Sequence, residues 1–459
     1  MENSRKKYPF GFYICALSFS FERFAYYAGK WILTVFVALE TVKGGLGLSS
    51  AQGAVFNSYL MAFTYITPLL GGYIADRYIS PRILIPVGEI LMGLGYLCAW
   101  QAHGKGMVWA MIILVSIGTG FFKGNLSGIN GRLFDDPSIL DSAFCIQYSF
   151  VNAGAFLGTS VMSVLALSIG YRQALLICGI LMFVDVIWWI FGQKSLGDAG
   201  KKPFLIDNRN TVSKHVSTPQ TETVQADTTK KALTSNEKKR VAAIILVTGF
   251  SIIFWIMWNL LYLPAYYQFG PAEQGGMGWA NWNIGNFQIP TAWYDSMNAL
   301  CCIAFGPVLA AVWTKLSKRK SGDISMFKKT ALGMIILGIG VVVLVVASIM
   351  SNEGAHPVGV WMVALVSALA ALGEMTFSPL GNSFINKFAP KRLLGTLLGV
   401  WPVAGFFSGL VYGHLYNWLG NFRFSYAYSV VAAVVILCGV ILWALSGSFE
   451  RLASEDEVE

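Results

Sequence analysis

Charged residues are scarce in this chain: Asp, Glu, Lys and Arg together make up 12% of its 459 residues. A soluble domain of ordinary composition carries about twice that share, so the scarcity excludes a cytosolic enzyme and a disordered regulator. Cysteine is uncommon too, with seven residues and no C-x-x-C spacing, and the four histidines are scattered. The composition therefore excludes a disulfide-stapled secreted domain and predicts neither a metal site nor a cofactor site.

Hydrophobic residues, in contrast, supply 55% of the chain, and the mean hydropathy is +0.58. A helix that crosses a bilayer needs about 20 apolar residues. Because backbone groups in lipid must bond internally, and because the apolar runs are continuous rather than alternating, we expect helices and not a barrel. The chain is predicted to be an all-α membrane protein with about twelve transmembrane helices. The apolar runs fall at 10–38, 50–75, 83–101, 107–130, 142–168, 172–192, 241–267, 289–315, 327–350, 358–386, 393–419 and 425–447.

Basic residues concentrate in alternate loops, for example Arg77 and Arg82 after the second run. This asymmetry accounts for the net charge of +9 without nucleic acid, and it predicts a cell membrane protein with both termini in the cytoplasm. The segment 193–240 is polar and aperiodic, so we expect a flexible cytoplasmic linker there. It separates a six-helix half at 1–192 from a second at 241–459, which ends in a short acidic tail. This arrangement resembles the major facilitator architecture, in which substrate binds between the halves.

Ionisable residues stand inside the apolar runs, where each costs about 2.5–3.5 kcal/mol unless it faces a cavity or a partner. In the first helix, Glu22, Tyr26 and Lys30 lie on one stripe with Arg23 and Tyr27. The surplus of positive charge suits a substrate carboxylate, which Arg binds with two hydrogen bonds. An internal ion-pair network is the alternative, and Glu22 either joins the site or only neutralises Arg23.

Further intramembrane charges stand in both halves. Lys123 in the fourth helix and Glu374 in the tenth are matched in position, so we expect them to pair as a gate when the cytoplasmic side closes. Asp295 stands in the eighth helix. Glu89 and Asp185 receive no role, since neighbouring hydroxyl groups could satisfy them.

Six short motifs follow one another along the predicted helices. They are Glu22-Arg23-Phe24-x-Tyr26-Tyr27, Gly71-Gly72-x-x-x-Asp76-Arg77, Gly118-Thr119-Gly120-x-x-Lys123-Gly124-Asn125, Phe150-Val151-Asn152-x-Gly154, Ser296-Met297-Asn298 and Gly373-Glu374-x-x-x-Ser378-Pro379. Each is weak by itself. In this order and on these helices, they resemble the signatures of the proton-dependent oligopeptide transporters, the peptide transporter family of the major facilitator superfamily.

The resemblance implies proton-driven uptake of di- and tripeptides by a monomer that works through alternating access. In that family, basic residues of helices 1 and 4 surround the peptide carboxylate, Asn and Glu groups meet the amino end, and aromatic side chains form the walls. Those roles fall on Arg23, Lys30 and Lys123 for the carboxylate, on Asn152, Asn298 and Glu374 for the amino end, and on Tyr26, Tyr27, Tyr65, Trp255 and Trp401 for the walls.

The chain departs from the family pattern at two acidic positions, which fall on Phe19 and Asn259. Neither side chain binds a proton, so the gate between Lys30 and helix 7 is expected to be a hydrogen bond to Asn259. One interpretation retains proton coupling through Glu22, Asp295 or Glu374. The other is a carrier that works without protons or that moves another small carboxylate or anion. A peptide sensor that does not transport is a third, weaker hypothesis.

Overall fold

The computed structural model describes residues 8–134, 137–204, 234–318, 324–388 and 394–454. Within these residues the chain forms twelve long α-helices, which confirms the predicted all-α class and the predicted number of helices. The helices are α1 Phe10–Ala38, α2 Ser50–Arg77, α3 Pro81–Trp100, α4 Lys105–Gly131, α5 Pro137–Ile169, α6 Tyr171–Gly192, α7 Ser235–Tyr267, α8 Trp293–Ser317, α9 Met326–Met350, α10 Val360–Phe388, α11 Leu394–Leu419 and α12 Phe424–Ser454.

Helix α7 begins at Ser235, six residues before the predicted start at 241. Thr234 caps it: its hydroxyl accepts a hydrogen bond from the backbone N–H of Glu237, and the Glu237 carboxylate accepts one from the backbone N–H of Thr234. This capping box satisfies orphan N–H groups and extends a helix into a polar stretch that has no apolar periodicity. Hydrophobic runs alone therefore place the start of the helix too late.

The predicted flexible linker 193–240 is also wrong at its other end. Residues 193–196 form a 3-10 turn that packs on α1 and α6, and residues 197–200 lie against the N-terminus of α3. The guanidinium of Arg82 donates hydrogen bonds to the carbonyls of Gly197 and Ala199, both at 2.8 Å, and the hydroxyl of Ser80 donates to a third carbonyl in this segment at 2.7 Å. The carbonyls of this segment thus bind Arg82, whose charge had served only to predict the orientation of the chain in the membrane. Residues 205–233 lie outside the described residues.

The packing of the helices repeats from one half to the other. In the first half α1 packs on α5 and α6, α3 on α4 and α6, and α2 on α4; in the second half the same pairs recur with six added to each number. The halves meet where α2 packs on α11 and α5 packs on α8. A repeated six-helix unit of this kind places the first helix of each half, α1 or α7, next to the boundary between the halves.

Glycine contacts show the same repetition. A Cβ atom added at Gly118 of α4 would lie 2.5 Å from the carbonyl oxygen of Gly88 in α3, and one added at Gly373 of α10 would lie 2.9 Å from that of Gly333 in α9. No side chain fits at either crossing. Small residues let neighbouring helices approach closely in membranes, where packing rather than water drives association.

Large apolar side chains cover the outside of the bundle. On α6 and α12 they recur at helical spacing as exposed stripes. Nine of the helices within the described ranges are long and apolar enough to cross a membrane; α1, α2 and α11 are not among them. Because a soluble monomer rarely exposes so much contiguous apolar surface, these stripes face lipid. They are Ile180, Val184, Ile187 and Phe191 on α6, and Val430, Val434, Leu437 and Ile441 on α12.

At the end of the bundle where α1 stops at Ala38, hydrogen bonds join the loops within each half to one another. In the first half the Arg172 guanidinium donates to the carbonyls of Gly44 and Trp100, at 3.1 and 3.0 Å. In the second half the two-residue strand β1 (Ala280–Asn281) pairs in parallel with Val358–Gly359, while a small hairpin joins Asn283–Ile284 to Phe287–Gln288.

A further tie in the second half joins the loops before α10 and α12. The Glu353 carboxylate accepts hydrogen bonds from the Arg423 guanidinium and the Ser425 hydroxyl, both at 3.1 Å. Burial opposes ionisation of Glu353, but the hydrogen bonds from Ser425 and the charge of Arg423 outweigh it and lower the pKa of the carboxyl. The three loops at this end of the second half therefore form one bonded unit.

Candidate functional site

A central cavity of about 190 Å³ lies between the two halves, lined by residues of α1, α2, α4, α5, α7, α8 and α10. Twelve of the residues singled out in the sequence line it together, although they come from positions as far apart as 23 and 374. Glu22 lies behind the wall, and the side chain of Trp401 falls outside the part of the chain that the structure describes. The twelve are Arg23, Tyr26, Tyr27, Lys30, Tyr65, Lys123, Asn152, Trp255, Asn259, Asp295, Asn298 and Glu374.

The charge of Arg23 is already matched. Its Nε and Nη2 atoms donate to both carboxylate oxygens of Glu22, which is completely buried. The guanidinium also lies over the ring of Tyr26, 4.7 Å from the centroid, and 5.8 Å from that of Tyr27. Of the two roles left open for Glu22, neutralising Arg23 is the one that this geometry contains. Arg23 remains a hydrogen-bond donor at the cavity wall, but it adds little net charge.

Lys30 is held by aromatic rings. Its ammonium nitrogen lies 4.3 Å from the ring centroid of Tyr262 and 5.7 Å from that of Trp258, and the charges of Asp295 and Glu374 act on it across the cavity. Cation–π contacts of buried cations are worth about 2 kcal/mol. They stabilise the ammonium without using its N–H groups.

The expected hydrogen bond from Lys30 to Asn259 is absent, which corrects the sequence prediction for this gate. The side-chain amide of Asn259 donates instead to the carbonyl of Trp255 in its own helix, at 2.7 Å, and its Oδ1 atom has no hydrogen-bond partner. Asn and Ser side chains often bond the backbone of the preceding turn in this way. The flexible Lys stem can then reach the ring faces one turn further along α7.

Lys123 and Glu374 line the same cavity but form no ion pair in this conformation. The Lys123 ammonium lies 5.8 Å from the ring centroid of Tyr65. On the opposite wall, Asn298 Nδ2 and Trp258 Nε1 are directed at the Glu374 carboxyl, but Glu374 Oε2 and both nitrogens are buried short of full hydrogen-bond geometry. Such groups are costly unless a ligand or water meets them, so this wall is prepared for a polar guest.

Asp295 is the second acid of the cavity. The hydroxyl of Tyr266 donates a hydrogen bond of 2.5 Å to its Oδ2 atom, and the charge of Lys30 acts on it. Asp295 thus provides a carboxylate opposite the first-helix cation, although Asn259 stands where the related family carries an acid.

Several wall residues were missed in the sequence. Trp258 lies three positions after Trp255, on the same face of α7, so helical spacing could have identified it. No comparable signal marks the others, which are ordinary apolar or hydroxyl residues in apolar runs. The missed wall residues are Met61, Thr64, Tyr148, Ala155, Thr159, Trp258, Ala299 and Cys302.

A buried hydrogen-bond network closes the cavity one turn beyond Lys30. The Asn57 amide donates to the Thr34 hydroxyl at 2.6 Å, and the Tyr412 hydroxyl donates to the Asn57 oxygen at 2.6 Å. The Tyr267 hydroxyl donates to the Thr34 carbonyl at 3.0 Å, and the Tyr262 hydroxyl lies 3.5 Å from that of Thr34. These five side chains join α1 and α2 to α7 and α11. We call this end of the bundle, where α1 stops and α2 begins, the closed side.

Known proteins resemble this chain in sequence and in fold. Residues 19–411 match the Major Facilitator Superfamily. The chain is 26% identical over 446 residues to Dipeptide and tripeptide permease A of Erwinia pyrifoliae, covering 90% of this chain and 86% of that protein. It is 23% identical over 487 residues to the Di-/tripeptide transporter of Lactococcus lactis subsp. cremoris, covering 95% and 94%.

Two solved structures share the fold. A crystal structure of peptide transporter POT in complex with sulfate superposes with a TM-score of 0.83 at 23% identity, over 97% of this chain and 96% of that one. A POT family transporter in complex with 5-aminolevulinic acid gives 0.82 at 21% identity, over 96% and 97%. Twelve helices in two repeated halves around a central polar cavity define a multi-pass membrane transporter. The chain belongs to the Major Facilitator Superfamily.

Proposed function

We propose that this transporter imports di- and tripeptides by alternating access. The observation that carries the proposal is the polarity of the cavity: basic groups stand on α1 and α4, and an acid flanked by two hydrogen-bond donors stands on the opposite wall. A peptide zwitterion has a carboxylate at one end and an ammonium at the other. Complementary ends fix the zwitterion, and the aromatic walls between them accept varied side chains.

The proposed pose follows from where the charged groups stand on the cavity wall. The peptide carboxylate meets Lys123 and Arg23, with Lys30 at its flank, and the peptide ammonium meets Glu374 beside Asn298. The cavity is smaller than the about 300–1,000 Å³ common for drug-sized ligands, which favours a short peptide. The names of the two relatives, a dipeptide and tripeptide permease and a di-/tripeptide transporter, support the same substrate class.

The test is uptake by purified protein in liposomes, with a labelled dipeptide as substrate and tripeptides, free amino acids and nitrate as competitors. We expect di- and tripeptides to be taken up and to compete. Glu374→Gln, which keeps the size of the side chain but removes its charge, serves as the matched inactive variant. Competition by free amino acids or nitrate but not by dipeptides would instead identify a carrier of another small carboxylate or anion. Peptide binding without uptake would identify a sensor.

We further propose that protons drive uptake and that Asp295 carries the coupling proton. Its carboxyl faces Lys30 across the cavity and accepts a hydrogen bond from Tyr266. When Asp295 is ionised, it attracts Lys30 and favours the closed side. When it is protonated, Lys30 is released for the substrate carboxylate. The acids missing at Phe19 and Asn259 are thereby replaced by one acid on α8.

Asp295→Asn tests the coupling step because it keeps the shape of the side chain. We expect the variant to exchange labelled for unlabelled peptide across the membrane while losing accumulation driven by a pH gradient. Tyr266→Phe is the matched control: it keeps the acid and should keep accumulation. Gradient-driven accumulation by Asp295→Asn at the wild-type level would refute this role. Wild-type uptake that ignores both the gradient and an uncoupler would identify a proton-independent carrier.

We also propose a location in the cell membrane, with both termini in the cytoplasm. The excess of Lys and Arg in alternate loops supports this orientation. The closed side then faces the exterior. Cysteines introduced at loop positions 103 and 198 test the assignment, with an impermeant thiol reagent added either to intact cells or to inverted membrane vesicles.

A further inference from the structure

Two acids that the central cavity does not use lie in the core of the first half. Glu89 of α3 and Asp185 of α6 are both 0% exposed, and all four of their carboxyl oxygens lack a hydrogen-bond partner. Each stands near the middle of its helix, as Glu22 does in α1. Burying an unpaired charge this deeply is costly, so groups of this kind mark a function or a ligand.

The two carboxyl groups lie next to each other, and a third polar group points at them. Glu89 and Asp185 interact directly, and the Ser18 side chain of α1 is directed at Asp185. The Ser18 hydroxyl is also fully buried and has no hydrogen-bond partner. The charge of Glu22 acts on both acids. Three helices therefore direct buried polar groups to one point, where they meet one another and, within the described residues, no cation.

The positive charges nearby are too few for these acids. Arg23 is already bound by both carboxylate oxygens of Glu22. Lys123 stands on the cavity wall and interacts with Glu22 and Arg23 rather than with the pair. Glu22 is the other charged group that acts on both acids. Further ionisable residues on the helices of this half include Arg23, Tyr96, Lys123 and Cys178, which interact with Glu22 or with one another.

Like charges in a buried site cannot both persist, and neighbouring carboxylates of this kind retain a proton between them. A metal ion is the alternative guest. Within the described residues, however, no group of three or more His, Cys, Asp or Glu side chains is arranged to hold one. The proton is the ligand that needs no further space.

We infer that Glu89 and Asp185 form a proton-binding site in the core of the first half, which holds one proton and sets how transport depends on pH. When the proton leaves, two negative charges stand beside Glu22, so the negative charge behind Arg23 increases. The positive wall that meets a substrate carboxylate is thereby weakened. When the proton returns, Glu22 alone pairs with Arg23. Affinity for the substrate carboxylate therefore falls as pH rises through the release of this proton.

Infrared difference spectroscopy tests the site without any substrate. Protein in liposomes is titrated with acid, and the carbonyl stretch of a buried protonated carboxyl is followed. We expect a band in wild type that the double variant Glu89→Gln, Asp185→Asn loses and that Glu40→Gln, a variant of an exposed loop acid, retains. Identical bands in wild type and the double variant would overturn the proposal. So would a band that sodium chloride removes and choline chloride does not, because the ligand would then be sodium.

The transport readout rests on the proposed peptide function, while the infrared readout does not, so the two can fail separately. The dipeptide concentration that gives half-maximal uptake is measured from acidic to alkaline pH with no gradient. We expect it to rise with pH in wild type and in Glu40→Gln, and to rise less in the double variant, in which only Asp295 still contributes to the pH dependence. A double variant that lacks the infrared band but keeps the wild-type pH profile would refute the regulatory part of the inference.

Discussion

Tyr412→Phe removes one hydroxyl from the network that closes the cavity. Tyr412 is fully buried in α11, and its hydroxyl donates 2.6 Å to the side-chain oxygen of Asn57 in α2. The bond crosses the seam between the halves, so it exists only while the closed side is shut. Phe keeps the ring and the packing but leaves the Asn57 oxygen buried and unbonded.

The size of the effect follows from that unpaired oxygen. A buried acceptor left without its donor costs about 1–3 kcal/mol. In the open conformation water can reach Asn57, so the cost applies to the shut conformation alone. A bias of that size shifts the equilibrium between the two conformations by about 5- to 150-fold toward opening. The shift should favour access to the cavity from the closed side.

The assay uses a thiol that the chain already contains. Cys302 lines the central cavity, so in a variant whose other six cysteines are replaced by serine it reports access to the cavity. A membrane-impermeant maleimide is added from the closed side, and its rate of reaction is measured. We expect labelling of the Tyr412→Phe variant to be faster by the factor given above.

Tyr428→Phe is the matched control. The Tyr428 hydroxyl of α12 is also buried, but it has no hydrogen-bond partner to lose. Its removal should leave the labelling rate of Cys302 unchanged. If Tyr412→Phe and Tyr428→Phe behave alike, or if Tyr412→Phe reacts at the wild-type rate, the network does not hold the closed side.

Further substitutions test the cavity and the packing around it. Lys123→Ala and Glu374→Ala should each abolish peptide uptake in liposomes; normal uptake by either would remove that residue from the central site. Arg23→Ala should weaken binding of free peptides more than of C-terminally amidated ones, measured by competition, and equal losses would exclude carboxylate binding. Gly118→Ala should destabilise the fold by about 1–3 kcal/mol, because the new methyl overlaps the Gly88 carbonyl. Thermal unfolding in detergent measures this loss, and Gly124→Ala, whose methyl would meet no atom within 4 Å, should unfold at the wild-type temperature.

The helices and the central cavity were predictable because both follow from the cost of polarity in lipid. Apolar runs must become helices, so α1 lies at Phe10–Ala38 as expected. Charged residues in those runs must turn away from lipid, which is why Arg23, Lys30, Lys123 and Glu374 meet in one cavity. Each of these inferences depends on a single residue type in a single environment.

Pairings across the seam were not predictable in the same way. Asn57 and Tyr412 are 355 positions apart, and each looks like an ordinary polar residue in an apolar run. The partner of Lys30 was expected to be Asn259, but the amide bonds its own helix and the ammonium lies on Tyr262. Whether Lys30 meets the Asn259 amide or the Tyr262 ring depends on the rotation of α7 about its axis. No residue pattern specifies that rotation.

The start of α7 shows a second limit. A capping box at Thr234 and Glu237 extends the helix beyond its apolar run. The segment 197–200 is ordered because Arg82 and Ser80 bind its carbonyls. In both places local hydrogen bonds of polar residues determine structure in a stretch whose composition is typical of a solvated tether.

The bonded loops at the closed side determine which parts of the transporter move as rigid units. Arg172 joins the loop ends of one half, while the β1 pairing and Glu353 join those of the other. The helix ends within either half therefore cannot move apart individually. Opening at the closed side must therefore separate two rigid halves along the α2–α11 and α5–α8 contacts. A crosslink across either contact should stop the transport cycle, whereas a crosslink within one half should leave turnover unchanged.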